Sequence, residues 1–141
     1  MIRVDNVSKT FAGGVHAVRD LSFRVDEGEL LVLLGTSGSG KTTTMKMINR
    51  LIELTDGHIT IQGEDILDKD PIQLRRGIGY AIQHIGLFPH MTVRENVGVG
   101  PRLLNWSREE TAESCDKLLG MMRLPPEEYG DRYPAQLSGG Q

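Results

Sequence analysis

The chain has 141 residues, 38% hydrophobic and 25% charged, which is the composition of a folded globular domain and excludes a disordered chain. Its 16 basic and 19 acidic residues give a net charge of −3 without a long basic run, which disfavours nucleic acid as a partner. No apolar run approaches a membrane span, and the first residues lack the apolar core of a secretory signal, so we expect a cytosolic location. Cys115 is the single cysteine, which excludes an internal disulfide.

Two stretches near the start alternate apolar and polar residues, which predicts strands with one wet face. They cover residues 2–8 and 15–25, and Ala12-Gly13-Gly14 between them supplies a turn. Residues 30–34 are all apolar, which predicts a short central strand covered on both faces. A further strand is predicted at residues 58–62.

The residues that follow the apolar run fit a phosphate-binding loop. They match G-x-x-x-x-G-K-[ST] with Gly35, Thr36, Ser37, Gly38, Ser39, Gly40, Lys41 and Thr42. Backbone N–H groups in the second half of this loop are expected to converge on one anion, and the start of the following helix adds partial positive charge. A glycine- and serine-rich surface turn is the alternative, but it leaves the flanking strand and helix patterns unexplained. We call residues 35–42 the phosphate loop and expect it to bind a nucleotide.

The next stretch continues the α/β pattern. Residues 41–50 are predicted to form a largely buried helix, because apolar side chains cover more than half of its surface. Asp70 and Pro71 begin a helical segment that runs to Arg76, and residues 78–82 are predicted to form another buried strand. Gln83 follows this strand directly, at the end where open α/β sheets bind their ligands. A polar residue that simply ends the strand is an equally good interpretation of Gln83.

The character of the chain changes in residues 84–90, which we call the apolar loop because it carries Leu87 and Phe88 side by side. Such a loop either binds a partner or folds onto its own core, and both interpretations stay open. Helices are predicted at residues 92–104, with glycine and proline interruptions, and at residues 107–123, where Ser107 and Glu110 form a capping box. Because strand patterns end by Phe88, we predict a nucleotide-binding core in residues 1–88 and the start of a helical subdomain in residues 89–141.

The chain closes with a second motif, L-S-G-G-Q at residues 137–141, which we call the signature segment. Together with the phosphate loop, it resembles the ATP-binding cassette (ABC) family, in which L-S-G-G-Q is the signature motif. The resemblance covers essentially the whole chain. It implies an α/β fold, the ABC-cassette form of the P-loop NTPases, with an N-terminal antiparallel β portion and a helical subdomain, incomplete at the C-terminus.

The resemblance implies roles for particular residues, with ATP and Mg²⁺ as cofactors. Phe11 lies where the family has the aromatic ring that stacks on adenine, although packing beneath the strands is an alternative. Lys41 would neutralise the β- and γ-phosphates, Thr42 would bind Mg²⁺ through its hydroxyl, and Thr43 would reach the α-phosphate. Gln83 would contact the Mg²⁺ or the attacking water. The signature residues that would contact the γ-phosphate of ATP held by the other subunit of a head-to-tail dimer are Ser138, Gly139, Gly140 and Gln141.

Within the family, residues 78–92 are most similar to the subunits that energise uptake of glycine betaine, choline and related osmoprotectants. Polar-amino-acid and sugar importers share part of this stretch. The resemblance implies a place at the inner face of the cell membrane, where membrane-spanning permease subunits would contact residues 85–89. A soluble ABC ATPase without a membrane partner is the alternative.

Hydrolysis in the family needs an Asp for Mg²⁺, a Glu as general base and a switch histidine, all of which follow the signature motif. The chain ends at Gln141, before these positions. We therefore expect the complete subunit to be an ABC-type ATPase and residues 1–141 alone to turn ATP over negligibly.

Overall fold

The computed structural model describes residues 1–82 and 86–141, which form two compact units, Met1–Gly79 and Tyr80–Gln141. The domain boundary at Phe88 stays a prediction, and Gln83 lies outside the described residues. Within the part of the chain that is described, no helix is long and apolar enough to cross a membrane.

The first unit is built on a four-stranded antiparallel sheet with the order β2-β1-β3-β4. Its strands are β1 (Ile2–Phe11), β2 (Val15–Val25), β3 (Asp56–Ile61) and β4 (Glu64–Asp65). Val4 of β1 lies opposite Phe23 of β2 on one side and Ile59 of β3 on the other. The predicted hairpin and the strand predicted at residues 58–62 are confirmed, because alternation of apolar residues buries one face of the sheet.

The buried face of the sheet packs against two helices, α1 (Lys41–Ile48) and α2 (Pro71–Arg76). The core they share contains Val4, Val7, Val18, Met47, Ile48, Ile59, Ile66 and Leu74. Full burial of one such aliphatic side chain is worth about 1.5–3 kcal/mol, so this cluster dominates the stability of the unit. The second helix begins as predicted, because the Asp70 carboxylate accepts hydrogen bonds from the backbone N–H groups of Ile72 and Gln73.

A nearly buried guanidinium joins the end of α1 to the segment that leads into α2. Arg50 Nη1 donates to the carbonyl oxygens of Ile66 at 3.0 Å and of Lys69 at 2.8 Å. In return, Arg75 Nη1 donates to the Arg50 carbonyl oxygen at 2.9 Å. Hydrogen bonds from charged donors are stronger than neutral ones, so these three contacts fix the rear of α1 against α2.

Two strand predictions in the first 82 residues are wrong. Residues 30–34 and 78–82 form no strand, and Leu30 and Leu34 are 86% and 89% exposed. A central strand needs hydrogen-bonded neighbours on both sides, and in the described residues no strand pairs with either segment, although Ile78 packs against the core. The prediction that α1 is largely buried is also only partly right. Thr44, Met47 and Ile48 face the sheet, whereas Met45 is exposed because only one side of the helix packs.

The second unit is helical, as the sequence predicts. Its elements are α3 (Val93–Val97), α4 (Val99–Leu103), α5 (Arg108–Met121), α6 (Pro126–Tyr129) and a 3-10 turn at Pro134–Gln136. The helix predicted over residues 92–104 is broken at Gly98, and the capping box of Ser107 with Glu110 begins α5. Val93, Cys115 and Leu119 are buried between the helices, and the Arg94–Asp116 ion pair joins α3 to α5.

Candidate nucleotide-binding site

The centre of the phosphate loop holds the ammonium group of Lys41. Its Nζ atom donates hydrogen bonds to the carbonyl oxygens of Gly35 and Thr36, each at 2.8 Å, and lies 3.1 Å from Ser39 Oγ. The side chain therefore turns back from the first position of α1 into the loop that precedes it. This contact places a positive charge among the backbone groups of the loop, which suits a polyphosphate ligand.

Two glycines of the phosphate loop lie close to other atoms, and one of them, Gly40, is required by packing against backbone. Gly40 has φ 88°, and a Cβ placed on it would lie 2.5 Å from the carbonyl oxygen of Ala17 in β2. A Cβ on Gly35 would lie 2.4 Å from Ser39 Oγ. Because a side chain at Gly40 would overlap backbone, the loop lies directly against β2, whereas a side chain at Gly35 would require the Ser39 side chain to shift.

The start of α1 presents free backbone donors. Gly40 caps the helix without a side-chain hydrogen bond, and the first turn carries no acidic residue. Thr42 is exposed and Thr43 is half-buried, whereas the buried Thr44 uses its hydroxyl to donate to the Gly40 carbonyl oxygen at 3.0 Å. The outer N–H groups, the Thr42 hydroxyl and the partial positive charge of the helix start are thus available to an anion. The rest of the loop, Thr36, Ser37, Gly38 and Ser39, is exposed.

Phe11 lies at the end of β1, in the hairpin whose second strand touches the phosphate loop. It is 42% exposed and pairs with Val15, two residues before Ala17. The Lys9 ammonium lies over its ring, 5.2 Å from the centroid. Sequence reasoning missed Lys9, although its position two residues before Phe11 on a strand puts the two side chains on the same face.

The signature segment contains a turn at Gly139 and Gly140. The Gln141 backbone N–H donates to the Ser138 carbonyl oxygen at 3.0 Å, and the Gln141 side-chain oxygen accepts from the Ser138 backbone N–H at 2.9 Å. Gln141 Nε2 also donates to Tyr129 Oη at 3.2 Å. Among the described residues, a Cβ on Gly139 or Gly140 would meet nothing within 4 Å. The segment lines a cavity of about 600 Å³ together with Tyr80, Ile82 and Leu87 of the same unit.

The described part of the apolar loop, residues 86–90, is held by one side chain that sequence reasoning also missed. The Asn96 side-chain oxygen accepts from the Phe88 backbone N–H at 2.7 Å, and its Nδ2 donates to the Phe88 carbonyl oxygen at 3.1 Å. Leu87 and Phe88 are 41% and 46% exposed. No local sequence pattern predicts the contact between Asn96 and Phe88. Asn96 lies in α3, eight residues further along the chain.

The structure resembles solved proteins that bind nucleotides. A dimeric ATP-binding cassette in a post-hydrolysis state, bound to ADP and Pi, matches with a TM-score of 0.86 and 31% sequence identity. The match covers 100% of this chain and 65% of that chain. The fold of the present chain is therefore that of an ATP-binding cassette.

Sequence comparison gives the family. The family described as ABC transporter matches residues 18–141, which are most of the chain, and the chain belongs to that family. A carnitine transport ATP-binding protein of Listeria monocytogenes is 55% identical over 141 residues, and a choline transport ATP-binding protein of Bacillus subtilis is 52% identical over 141 residues. Both alignments cover 100% of this chain but only 35% and 37% of the relatives. The chain thus spans about a third of the length of these relatives.

Proposed function

We propose that the chain binds ATP with Mg²⁺ at the phosphate loop. The observation that carries the proposal is the Lys41 ammonium held by Gly35 and Thr36 at the centre of residues 35–42, beside the free N–H groups of α1. Lys41 would neutralise the β- and γ-phosphates, and Thr43 would reach the α-phosphate. Thr42 supplies a hydroxyl of the kind that binds Mg²⁺ in such loops, and Gln83 is the second proposed metal contact. Phe11 would stack on the adenine.

For the complete subunit we propose ATP hydrolysis that drives solute import. The chain spans about a third of the length of these relatives, so the activity is assigned to the complete subunit. Gln83 would contact the attacking water there. The names of two relatives, carnitine and choline transport ATP-binding proteins, support quaternary-amine osmoprotectants as the solutes.

Two partners follow from this proposal. A second ATP-binding subunit, arranged head to tail, would place its own Ser138, Gly139, Gly140 and Gln141 on the γ-phosphate. The dimeric form of the solved cassette bound to ADP and Pi supports this arrangement. Membrane-spanning permease subunits would contact residues 85–89, where the exposed Leu87 and Phe88 offer apolar surface. Such contacts would hold the subunit at the inner face of the membrane.

Replacing Lys41 with alanine tests the proposed site directly. We expect Lys41→Ala to weaken ATP binding by about 10- to 100-fold, because it removes charge-assisted hydrogen bonds to the phosphates. Isothermal titration with ATP and Mg²⁺ measures the change, and Lys46→Ala, an exposed lysine of the same helix, is the matched control. Equal ATP affinity in Lys41→Ala and in the wild type would refute the phosphate loop as the binding site.

The same substitution in the complete subunit tests the transport proposal. Cells that carry Lys41→Ala are expected to lose uptake of labelled glycine betaine, choline or carnitine, whereas Lys46→Ala cells keep it. Unchanged uptake of all three solutes alongside lost ATP binding would exclude osmoprotectant import and leave an amino-acid or sugar importer, or a soluble ABC ATPase.

A further inference from the structure

The Lys9 ammonium group contacts the aromatic ring of Phe11 rather than a carboxylate. Its ammonium lies 5.2 Å from the centroid of Phe11, and among the described residues it takes part in no ion pair within 4.0 Å. The distance is within the range of about 6 Å in which a cation is attracted to the face of an aromatic ring. One face of the Phe11 ring is therefore occupied by a positive charge.

The backbone between these two residues is fixed from both sides. The Thr10 N–H donates to Thr55 Oγ1 at 3.0 Å, and the Thr55 hydroxyl donates to the Thr10 carbonyl oxygen at 3.3 Å. The Thr10 hydroxyl also contacts His16 Nδ1 at 3.0 Å, across the hairpin. Because the main chain is held at Thr10, the remaining freedom of Phe11 lies in its side-chain torsions, and Lys9 restricts these.

The pair is close to the phosphate loop along β2. Lys9 lies opposite Val18 and Phe11 opposite Val15, and Ala17 between these two partners is the residue that packs on Gly40. Phe11 of β1 and Gly40, the residue before Lys41, thus contact β2 within a few residues of each other. A ligand with phosphates at Lys41 and a flat base would bring the base to this end of the hairpin.

We propose that Lys9 is a positioning residue for the nucleotide base. It holds the Phe11 ring with one face covered, so that the other face receives the adenine, and its charge draws electron density from the ring and strengthens stacking on the base. Ordering the ring before the ligand arrives also lowers the entropic cost of binding. This inference rests on the proposed ATP site and assigns Lys9 no contact with the phosphates.

Comparing ATP with inorganic tripolyphosphate, which has no base, tests the role of Lys9. Lys9→Met keeps the length of the side chain but removes its charge, and we expect it to weaken ATP binding by about two- to five-fold. Tripolyphosphate affinity should not change. Lys9→Arg should restore ATP affinity, because arginine also stacks on aromatic faces. Lys46→Met is the matched control for the loss of one positive charge.

The double variant separates positioning from a purely structural effect. In a Phe11→Ala background, Lys9→Met should have no further effect on ATP affinity, because the ring through which Lys9 acts is gone. Equal losses for ATP and tripolyphosphate, failure of Lys9→Arg to restore affinity, or an undiminished Lys9→Met effect without the ring would each overturn the proposal. If the wild type binds neither ligand, the proposed ATP site fails as well, whereas tight ATP binding that ignores Lys9→Met refutes Lys9 alone.

Discussion

The phosphate loop and the signature segment are both glycine-rich, but they differ in how much space surrounds their glycines. In the phosphate loop, a Cβ on Gly35 or Gly40 would lie within 2.5 Å of another atom of the unit. In the signature segment, a Cβ on Gly139 or Gly140 would meet no atom of residues 1–82 or 86–141 within 4 Å. Gly40 is thus demanded by packing against backbone and Gly35 lies against the Ser39 side chain, whereas Gly139 and Gly140 have open space among the described residues.

The same contrast holds for charge. The phosphate loop contains its own cation, because Lys41 lies among the carbonyl oxygens of Gly35 and Thr36. The signature segment, residues 137–141, contains no charged residue, and Gln141 pairs with the Ser138 backbone and with the Tyr129 hydroxyl. One motif carries what it needs to hold a phosphate, whereas the other supplies small residues and backbone that suit a ligand held elsewhere. This difference fits the proposal that the signature segment serves the ATP of a second subunit.

The largest expected effect comes from filling the space at Gly40. We expect Gly40→Ala to destabilise the first unit by about 3 kcal/mol and to abolish ATP binding, because it combines positive φ with overlap of the Ala17 carbonyl oxygen. Chemical denaturation and ATP titration measure the two effects. Gly100→Ala, in an open part of α4, is the control. A fully stable Gly40→Ala that binds ATP would remove the distinction between the two glycine pairs.

The matching change in the signature segment should leave the fold intact. We expect Gly139→Ala and Gly140→Ala to change the free energy of unfolding by no more than about 0.5 kcal/mol, because neither Cβ meets a neighbour in the described part of the chain. In the complete subunit, they should lower ATP-dependent dimerisation and hydrolysis by about ten-fold or more, because the added methyl group blocks close backbone approach to the γ-phosphate. Sedimentation with ATP and phosphate release measure these. Normal dimerisation and hydrolysis would argue that these glycines have no ligand.

The smallest expected effect concerns the start of one helix in each unit, α1 in the first and α5 in the second. The first helix starts at Gly40 without a side-chain cap, whereas α5 starts with Ser107 and Glu110 bonded to each other's backbone N–H groups. The backbone and hydroxyl of Ser107 hold the pKa of the Glu110 carboxyl below its ordinary value of 4.5. A lowered folded-state pKa gives stability that is present above 4.5 and is lost as the pH falls through the folded value.

Glu110→Ala should therefore destabilise the second unit at neutral pH, and the difference from wild type should shrink as the pH falls below 4.5. Denaturant unfolding of both proteins between neutral and acidic pH measures this difference. Glu109→Ala, in the same exposed turn but outside the capping box, is the control. A Glu110→Ala effect that is constant with pH would show that the carboxylate charge is not what stabilises the start of α5.

Elements that depend on local chemistry were predictable from the sequence. The β1–β2 hairpin follows from alternation, α2 from Asp70 and Pro71, and α5 from its capping box. The strands predicted at residues 30–34 and 78–82 were wrong, because a central strand is defined by its neighbours and not by its own composition.

The candidate site divides in the same way. The G-x-x-x-x-G-K-[ST] pattern predicted the phosphate loop, since its glycines and lysine are adjacent in sequence. It did not predict that β2 presses on Gly40, that Lys9 covers the ring of Phe11, or that Asn96 holds Phe88. These contacts join residues that are distant in the chain or depend on one side-chain rotamer, and a sequence pattern contains neither.

The hydrogen bonds of Arg50 fix the C-terminal end of α1. The helix is eight residues long, about 12 Å at 1.5 Å per residue. It is held in front where Gly40 meets β2 and behind where Arg50 binds the carbonyl oxygens of Ile66 and Lys69. Contacts at both ends of α1 oppose its movement along the helix axis. The spacing between the phosphate loop and α2 is therefore set by the length of one short helix.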